Sequence, residues 1–131
     1  MQSHVGHPGL VSDKVEARAY QLKAVDDAMA GSTLLILPTA AGKTAVAWMS
    51  IVERMERAGG WALVIAPTVA LSNQHLENAL PVLSKSEEWN PIVLSGQQTA
   101  SKRPDLWSGS RLVFATPQVV RNDVEKGVLS L

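Results

Sequence analysis

The side chains with the clearest chemistry lie in Leu37 to Thr44, LPTAAGKT. Gly42-Lys43-Thr44 at the opening of a helix offers three things to a polyphosphate. Successive backbone N–H groups and the helix N-terminus make an anion nest. The Lys43 ammonium reaches the β- and γ-phosphates, and the Thr44 hydroxyl ligates Mg²⁺. The spacing departs from G-x-x-x-x-G-K-[ST], because Leu37 stands at the first glycine and Ala40 at a position where a second is common. A Gly-Lys-Thr that merely caps a helix is the plainer alternative. The apolar run before it and the Pro38-Thr39 step favour a phosphate-binding loop that takes ATP with Mg²⁺.

A loop of this kind must hang between a strand and a helix, and the flanking sequence supplies both. Thr33 to Leu37, TLLIL, is apolar on both faces and predicts a buried parallel strand. Lys43 to Ala58 is helix-compatible and closes at Gly59-Gly60. Upstream, Val15, Leu22, Val25 and Met29 recur at helical spacing, with Gly31 just past the end. Downstream, strands are predicted at Trp61 to Ala66, Pro91 to Gly96 and Arg111 to Thr116, with helices at Leu71 to Leu80 and Gln118 to Lys126. Gln97 to Trp107 carries only weak helical character. Apolar strands alternating with helices predict an α/β fold with a parallel sheet and right-handed crossovers.

The chain has 131 residues, with Lys+Arg 12 balanced by Asp+Glu 12. That balance excludes a strongly basic nucleic-acid glue but leaves room for a local basic face. With Cys 0 there are no disulfides, thiolate nucleophiles or cysteine-based zinc sites, which fits a reducing cytoplasm. No apolar run approaches the about 18 residues of a spanning helix, so no membrane partner is expected. Residues 1–13 read as a flexible tail in which His4 and His7 are incidental, and residues 14–131 as one domain.

Four blocks, in order, carry a family resemblance. PTAAGKT resembles motif I of superfamily 2 helicases and translocases. Arg18-Ala19-Tyr20-Gln21 resembles the R-x-Y-Q element before it, whose glutamine reads the adenine edge; an amide pairs bidentately with N6 and N7 of adenine. APTVALSNQ, Ala66 to Gln74, resembles motif Ia. ATPQ, Ala115 to Gln118, with Asn122-Asp123 and Gly127 after it, resembles the T-P-Q block. The resemblance spans roughly Glu16 to Leu131 and points to the branch holding Hef, FANCM, Dicer and the RIG-I-like receptors.

It implies a RecA-like sheet whose loop Pro38, Thr39, Ala40, Ala41, Gly42, Lys43 and Thr44 binds ATP, helped by Arg18 and Gln21. Lys43 and Thr44 would be the catalytic positions, with Thr44 on the ATP-borne Mg²⁺. Pro67, Thr68, Gln74, Ser95, Gly96, Thr116 and Pro117 would meet the sugar-phosphate backbone of a nucleic acid, positioning it without reading sequence. Closeness to Hef and FANCM favours DNA over RNA, a DNA-repair setting, and a cytoplasmic or, in a eukaryote, nuclear address. Among the tryptophans, Trp48 and Trp61 are expected in the core and Trp89 and Trp107 on contact surfaces.

Hydrolysis in such motors needs a D-E-x-H strand, and no such tetrapeptide occurs here. The chain therefore reads as the front portion of one motor domain, able to bind ATP but not to hydrolyse it. In the family's sheet the D-E-x-H and S-A-T strands lie between the phosphate-loop strand and the others. Their absence predicts that Thr33 to Leu37 pairs in a new register, or that the chain self-associates or recruits a partner. The other readings are a non-enzymatic interaction module, an RNA helicase of the Dicer or RIG-I-like type, and a small phosphate-loop kinase, for which no acceptor pocket or Arg-rich lid is evident.

Overall fold

The computed structural model describes residues 3–4, 9–10, 16–37 and 42–131. Elements run β1 (Ser3–His4), β2 (Glu16–Ala17), α1 (Ala19–Ala30), α2 (Lys43–Ala58), β3 (Ala62–Ile65), α3 (Val69–Ala79), α4 (Ser86–Trp89), β4 (Ile92–Leu94), α5 (Arg103–Ser108), β5 (Leu112–Ala115) and α6 (Pro117–Glu125). They divide into two compact units, Met1–Gly59 with Pro81–Lys85, and Gly60–Leu80 with Ser86–Leu131.

In the first unit α1 packs on α2. Val46, Met49 and Val52 recur along one side of α2 and are buried, the stripe expected of a helix that covers a core. Gly59, with φ 65°, ends it, its N–H donating to the Met55 carbonyl at 3.0 Å. β1 and β2 form a short antiparallel pair, and Leu10 bridges to Leu83. Thr33 to Leu37 departs from expectation. It forms no strand ladder among the described residues, and Leu34 and Ile36 are 84% and 80% exposed. A strand is made by its neighbours' backbone groups, and no described segment offers them.

The second unit is a three-stranded parallel sheet in the order β3-β5-β4. β5 lies between two neighbours, and Leu112 to Ala115 are all buried, as the unbroken apolar run requires. Val113 and Ala115 face a core shared with Leu94, Trp107, Val119, Val120 and Leu129. By the alternation of the pleat, Leu112 and Phe114 face the other side. α3 packs against β4 and β5. No helix among the described residues is long and apolar enough to cross a membrane.

Candidate functional site

The first unit carries the residues expected to face a phosphate. Pro38, Thr39, Ala40 and Ala41 lie outside the described residues; Gly42 onward is described. Gly42 sits at φ 85°, the left-handed region glycine enters without strain, and turns the chain into α2. Lys43 and Thr44 follow on the exposed opening turn. Among the described residues no side chain caps this end, and the first N–H groups of α2 are of the kind that can hold an anion. Gln21 is buried against the same turn. Its Nε2 donates to the Gly42 carbonyl at 3.1 Å, and its Oε1 accepts from the Arg18 N–H at 2.7 Å. Residues more than twenty positions apart in sequence are thus tied at one point.

The second unit brings the remaining candidates to one rim, except Gln74, which lies in the middle of α3. The paired rows Ile65–Ala115 and Leu94–Ala115 end the three parallel strands together. Pro67-Thr68, Ser95-Gly96 and Thr116-Pro117 therefore all emerge at the carboxyl ends of the strands, where α/β sheets bind ligands. α3 and α6 start at this rim, directing positive helix ends toward it. Thr68 caps α3, its Oγ1 accepting from the Leu71 N–H at 3.1 Å, which leaves its own O–H free to donate. Pro67 and Gln74 are exposed. Thr116 is buried. The Ser95 hydroxyl is buried too and turned inward, accepting from the Gln97 N–H at 3.2 Å. At this turn it is Gly96 that meets solvent, and a Cβ placed there would touch nothing within 4 Å.

The DEAD/DEAH box helicase family model matches residues 18–130, across both groups of residues. The chain belongs to that family. The helicase domain of Hef from Pyrococcus furiosus superposes with a TM-score of 0.81 at 32% identity, covering 88% of this chain and 24% of that one. The DEAD-box ATP-dependent DNA helicase Fancm of Drosophila melanogaster is 33% identical over 91% of this chain and 8% of its own length. The DEAD-box ATP-dependent RNA helicase FANCM of Arabidopsis thaliana is 34% identical over 89% of this chain and 9% of its own. The chain thus spans a small part of each of these relatives. The superposition identifies its fold as a partial RecA-like domain with the Hef and FANCM branch as its relatives.

Three of the tryptophans reverse the sequence expectation. Trp89 and Trp107 are buried, at 2% and 7% exposure, whereas Trp61 is 39% exposed. Trp61 stands just before the edge strand β3 and meets Trp107 edge-on, with ring centroids 5.9 Å apart. Trp89 and Trp107 lie on helices whose polar sequence neighbours conceal an inward-pointing ring. Trp48 is buried, as expected.

Sequence reasoning also missed a buried ion pair in the second unit. Arg103 on α5 donates through Nε to both Asp123 oxygens, at 3.0 and 2.8 Å, and through Nη2 at 2.9 Å. The Trp107 Nε1 adds a bond of 2.7 Å to the same carboxylate. Burial opposes ionisation of Asp123, but the hydrogen bonds from Arg103 and Trp107, with the charges of Arg103 and Lys126, outweigh it and hold the carboxyl below its ordinary range. The bond to Asp123 raises the Arg103 pKa against the pull of burial. The available signal was Arg103 and Trp107 four apart, one helical turn, with Asp123 three positions beyond the core residue Val120.

Proposed function

We propose that this chain is the ATP-binding front portion of a motor that moves along DNA, with its nucleotide and nucleic-acid contacts on separate units. The observation that carries the reading is the exposed Lys43-Thr44 turn, which follows a left-handed Gly42 and opens a helix with no side-chain cap among the described residues. The described residues fit ATP with Mg²⁺. Lys43 would neutralise the β- and γ-phosphates, the N-terminal N–H groups of α2 would hold their oxygens, and Thr44 would ligate the cation. Bound Mg²⁺ supplies charge neutralisation on the phosphates. Arg18 and Gln21 border this turn and supply the adenine-side contacts. For Gln21 to read adenine, its carboxamide must exchange its bond to the Gly42 carbonyl for one to the base.

Along the rim, Pro67, Thr68, Gly96 and Pro117, joined by Gln74 from α3, would hold a sugar-phosphate backbone, with Ser95 and Thr116 shaping the turns from inside. Such contacts position a strand without reading its bases. The chain's relatives include proteins named as DNA helicases and as RNA helicases. DNA is favoured by the resemblance to Hef and FANCM, and with it a place in DNA repair. The absence of a D-E-x-H tetrapeptide from the sequence supports binding by this chain with negligible hydrolysis. Calorimetric titration with ATP and Mg²⁺ tests the reading. Weak saturable binding is expected, lost in Lys43→Ala, with no phosphate released over hours. Equal affinity in Lys43→Ala overturns it.

One observation favours an interaction module as a second reading, namely the exposed Leu34 and Ile36 in an apolar stretch that pairs with no strand among the described residues. Such a stretch is a template for a further strand from a second copy or a partner. Sedimentation across a concentration series should detect self-association that Leu34→Lys weakens. A monomer at every concentration counts against it.

A further inference from the structure

The Ser95-Gly96 turn is held from within the second unit by a chain of side-chain bonds that no motif of the sequence explains. Gln98, half-buried, is its hub. Its Oε1 accepts from the Ser95 N–H at 2.8 Å and lies 3.5 Å from the Ser95 Oγ; its Nε2 donates to the Val93 carbonyl at 3.1 Å. One carboxamide thus clasps Val93 within β4 and Ser95, the first residue beyond it. The backbone of Gln98 is anchored in turn, because its carbonyl accepts from the Arg103 Nη1 at 3.1 Å. The other arms of Arg103 end on Asp123, in α6, the helix that begins with the Thr116-Pro117 step. Asp123 is also fixed through its main chain, its carbonyl accepting from the Val128 and Leu129 N–H groups at 2.9 and 3.1 Å.

We infer that Gln98 and Arg103 are positioning residues for nucleic-acid binding, coupling the Ser95-Gly96 turn to the helix behind Thr116-Pro117 so that both meet one phosphate backbone in a fixed spacing. The inference rests on the nucleic-acid reading of the rim. A strand held by phosphate contacts alone needs its contact points at a set separation, because each phosphate is a fixed step from the next. A loop supplies that only when its supporting shell is locked. Here the lock is built from a bidentate guanidinium–carboxylate pair, the geometry that fixes direction as well as charge. Its free arm reaches the loop. Neither Gln98 nor Arg103 touches the nucleic acid in this arrangement; Gly96, open above its Cα, does.

The test is fluorescence anisotropy of the full 131-residue chain with a labelled DNA duplex, at a temperature where circular dichroism shows every variant folded. Gln98→Ala should weaken binding about fivefold, the worth of roughly one net hydrogen bond at the contact. Gly96→Asp, which puts a negative charge in open space at the turn, should weaken it directly. In the double variant, Gln98→Ala should cost no more than about twofold beyond Gly96→Asp, since its route to the phosphate is already closed. A purely structural role would give independent, additive losses. Arg103→Lys keeps a cation beside Asp123 but gives up the arm to Gln98, and serves as the deciding variant if Gln98→Ala does not fold. It should show a smaller loss with the same coupling to Gly96→Asp. Additive losses, or full affinity in Gln98→Ala and Arg103→Lys, overturn the inference and leave the rim reading standing. A wild-type chain that binds no duplex removes both.

Discussion

Two apolar segments of nearly equal character have opposite fates in this molecule. Leu112 to Ala115 lies between two parallel neighbours and is wholly buried, while Thr33 to Leu37 forms no ladder among the described residues and leaves Leu34 and Ile36 exposed. Both read as strands for the same reason, a short run of residues suited to a surface covered on both faces. The difference is that β5 has partners at Ala62–Ile65 and at Ile92–Leu94. Thr33 to Leu37 has none among the described residues. Strand character in a sequence is therefore a demand for neighbours, and whether it is met is decided elsewhere in the chain or by another chain.

The largest contrast to test is a pair of truncations. Phe114→Ala removes a ring with no exposed surface and should cost about 3–5 kcal/mol, through lost burial and the cavity left behind. Leu34→Ala removes a side chain that is already 84% exposed and should change stability by less than about 0.5 kcal/mol. Urea unfolding followed by tryptophan fluorescence measures both. A loss of more than about 1 kcal/mol in Leu34→Ala would mean that the stretch is paired in solution, and the contrast with β5 would disappear.

Legibility in the sequence follows the same division. The bounds of α2, Lys43 to Ala58, were readable to the residue because a glycine pair and a helical stripe mark them locally. The three paired strands were readable as apolar runs ended by Pro67, Gly96 and Pro117. What could not be read was burial set by distant partners. Trp61 was expected inside but stands beside an edge strand; Trp89 and Trp107 were expected outside but point inward from short helices. α5 itself, six residues long, is too short for a periodic signal. The pairing of Arg103 with Asp123 escaped notice because charged residues are buried only when paired, and this pair joins positions 20 apart. The place of Lys43 and Thr44 on the opening turn of α2 was legible because it is set locally, whereas the rim became a single feature only once the sheet register aligned its three loops.

A smaller effect distinguishes the sheet-bearing unit by acid. Asp123 is held below its ordinary pKa in the folded chain, so its contribution to stability is fully present above the unfolded value of about 3.9. It is lost as pH falls through the lower, folded value. Stability measured from pH 7 downward should therefore lose the share due to this pair only below about pH 4. Asp123→Asn should flatten that acid limb while lowering stability at every higher pH, because Arg103 is left buried without its counter-charge. An acid limb of the same steepness in the variant would assign the loss to other carboxylates.

The smallest expected effect is the most discriminating for the first unit, since it asks whether the chain beyond the unpaired stretch is specified at all. Gly42 and Gly31 flank Thr33 to Leu37. Gly42 has φ 85° and an added Cβ would fall 1.9 Å from the Gln21 Nε2; Gly31 is extended, at φ 170°, with nothing within 4 Å of its would-be Cβ. Gly42→Ala must therefore strain the backbone and push the Gln21 carboxamide off the turn, costing about 1 kcal/mol of stability. Its effect on ATP should be larger, roughly tenfold in affinity, because the displaced turn is the one that aims Lys43. Gly31→Ala should leave both quantities unchanged within about 0.5 kcal/mol. If the two substitutions behave alike, the Gly42–Gln21 contact is no more fixed than the stretch before it. If only Gly42→Ala responds, the turn that opens α2 is tightly specified although Thr33 to Leu37 makes no ladder among the described residues.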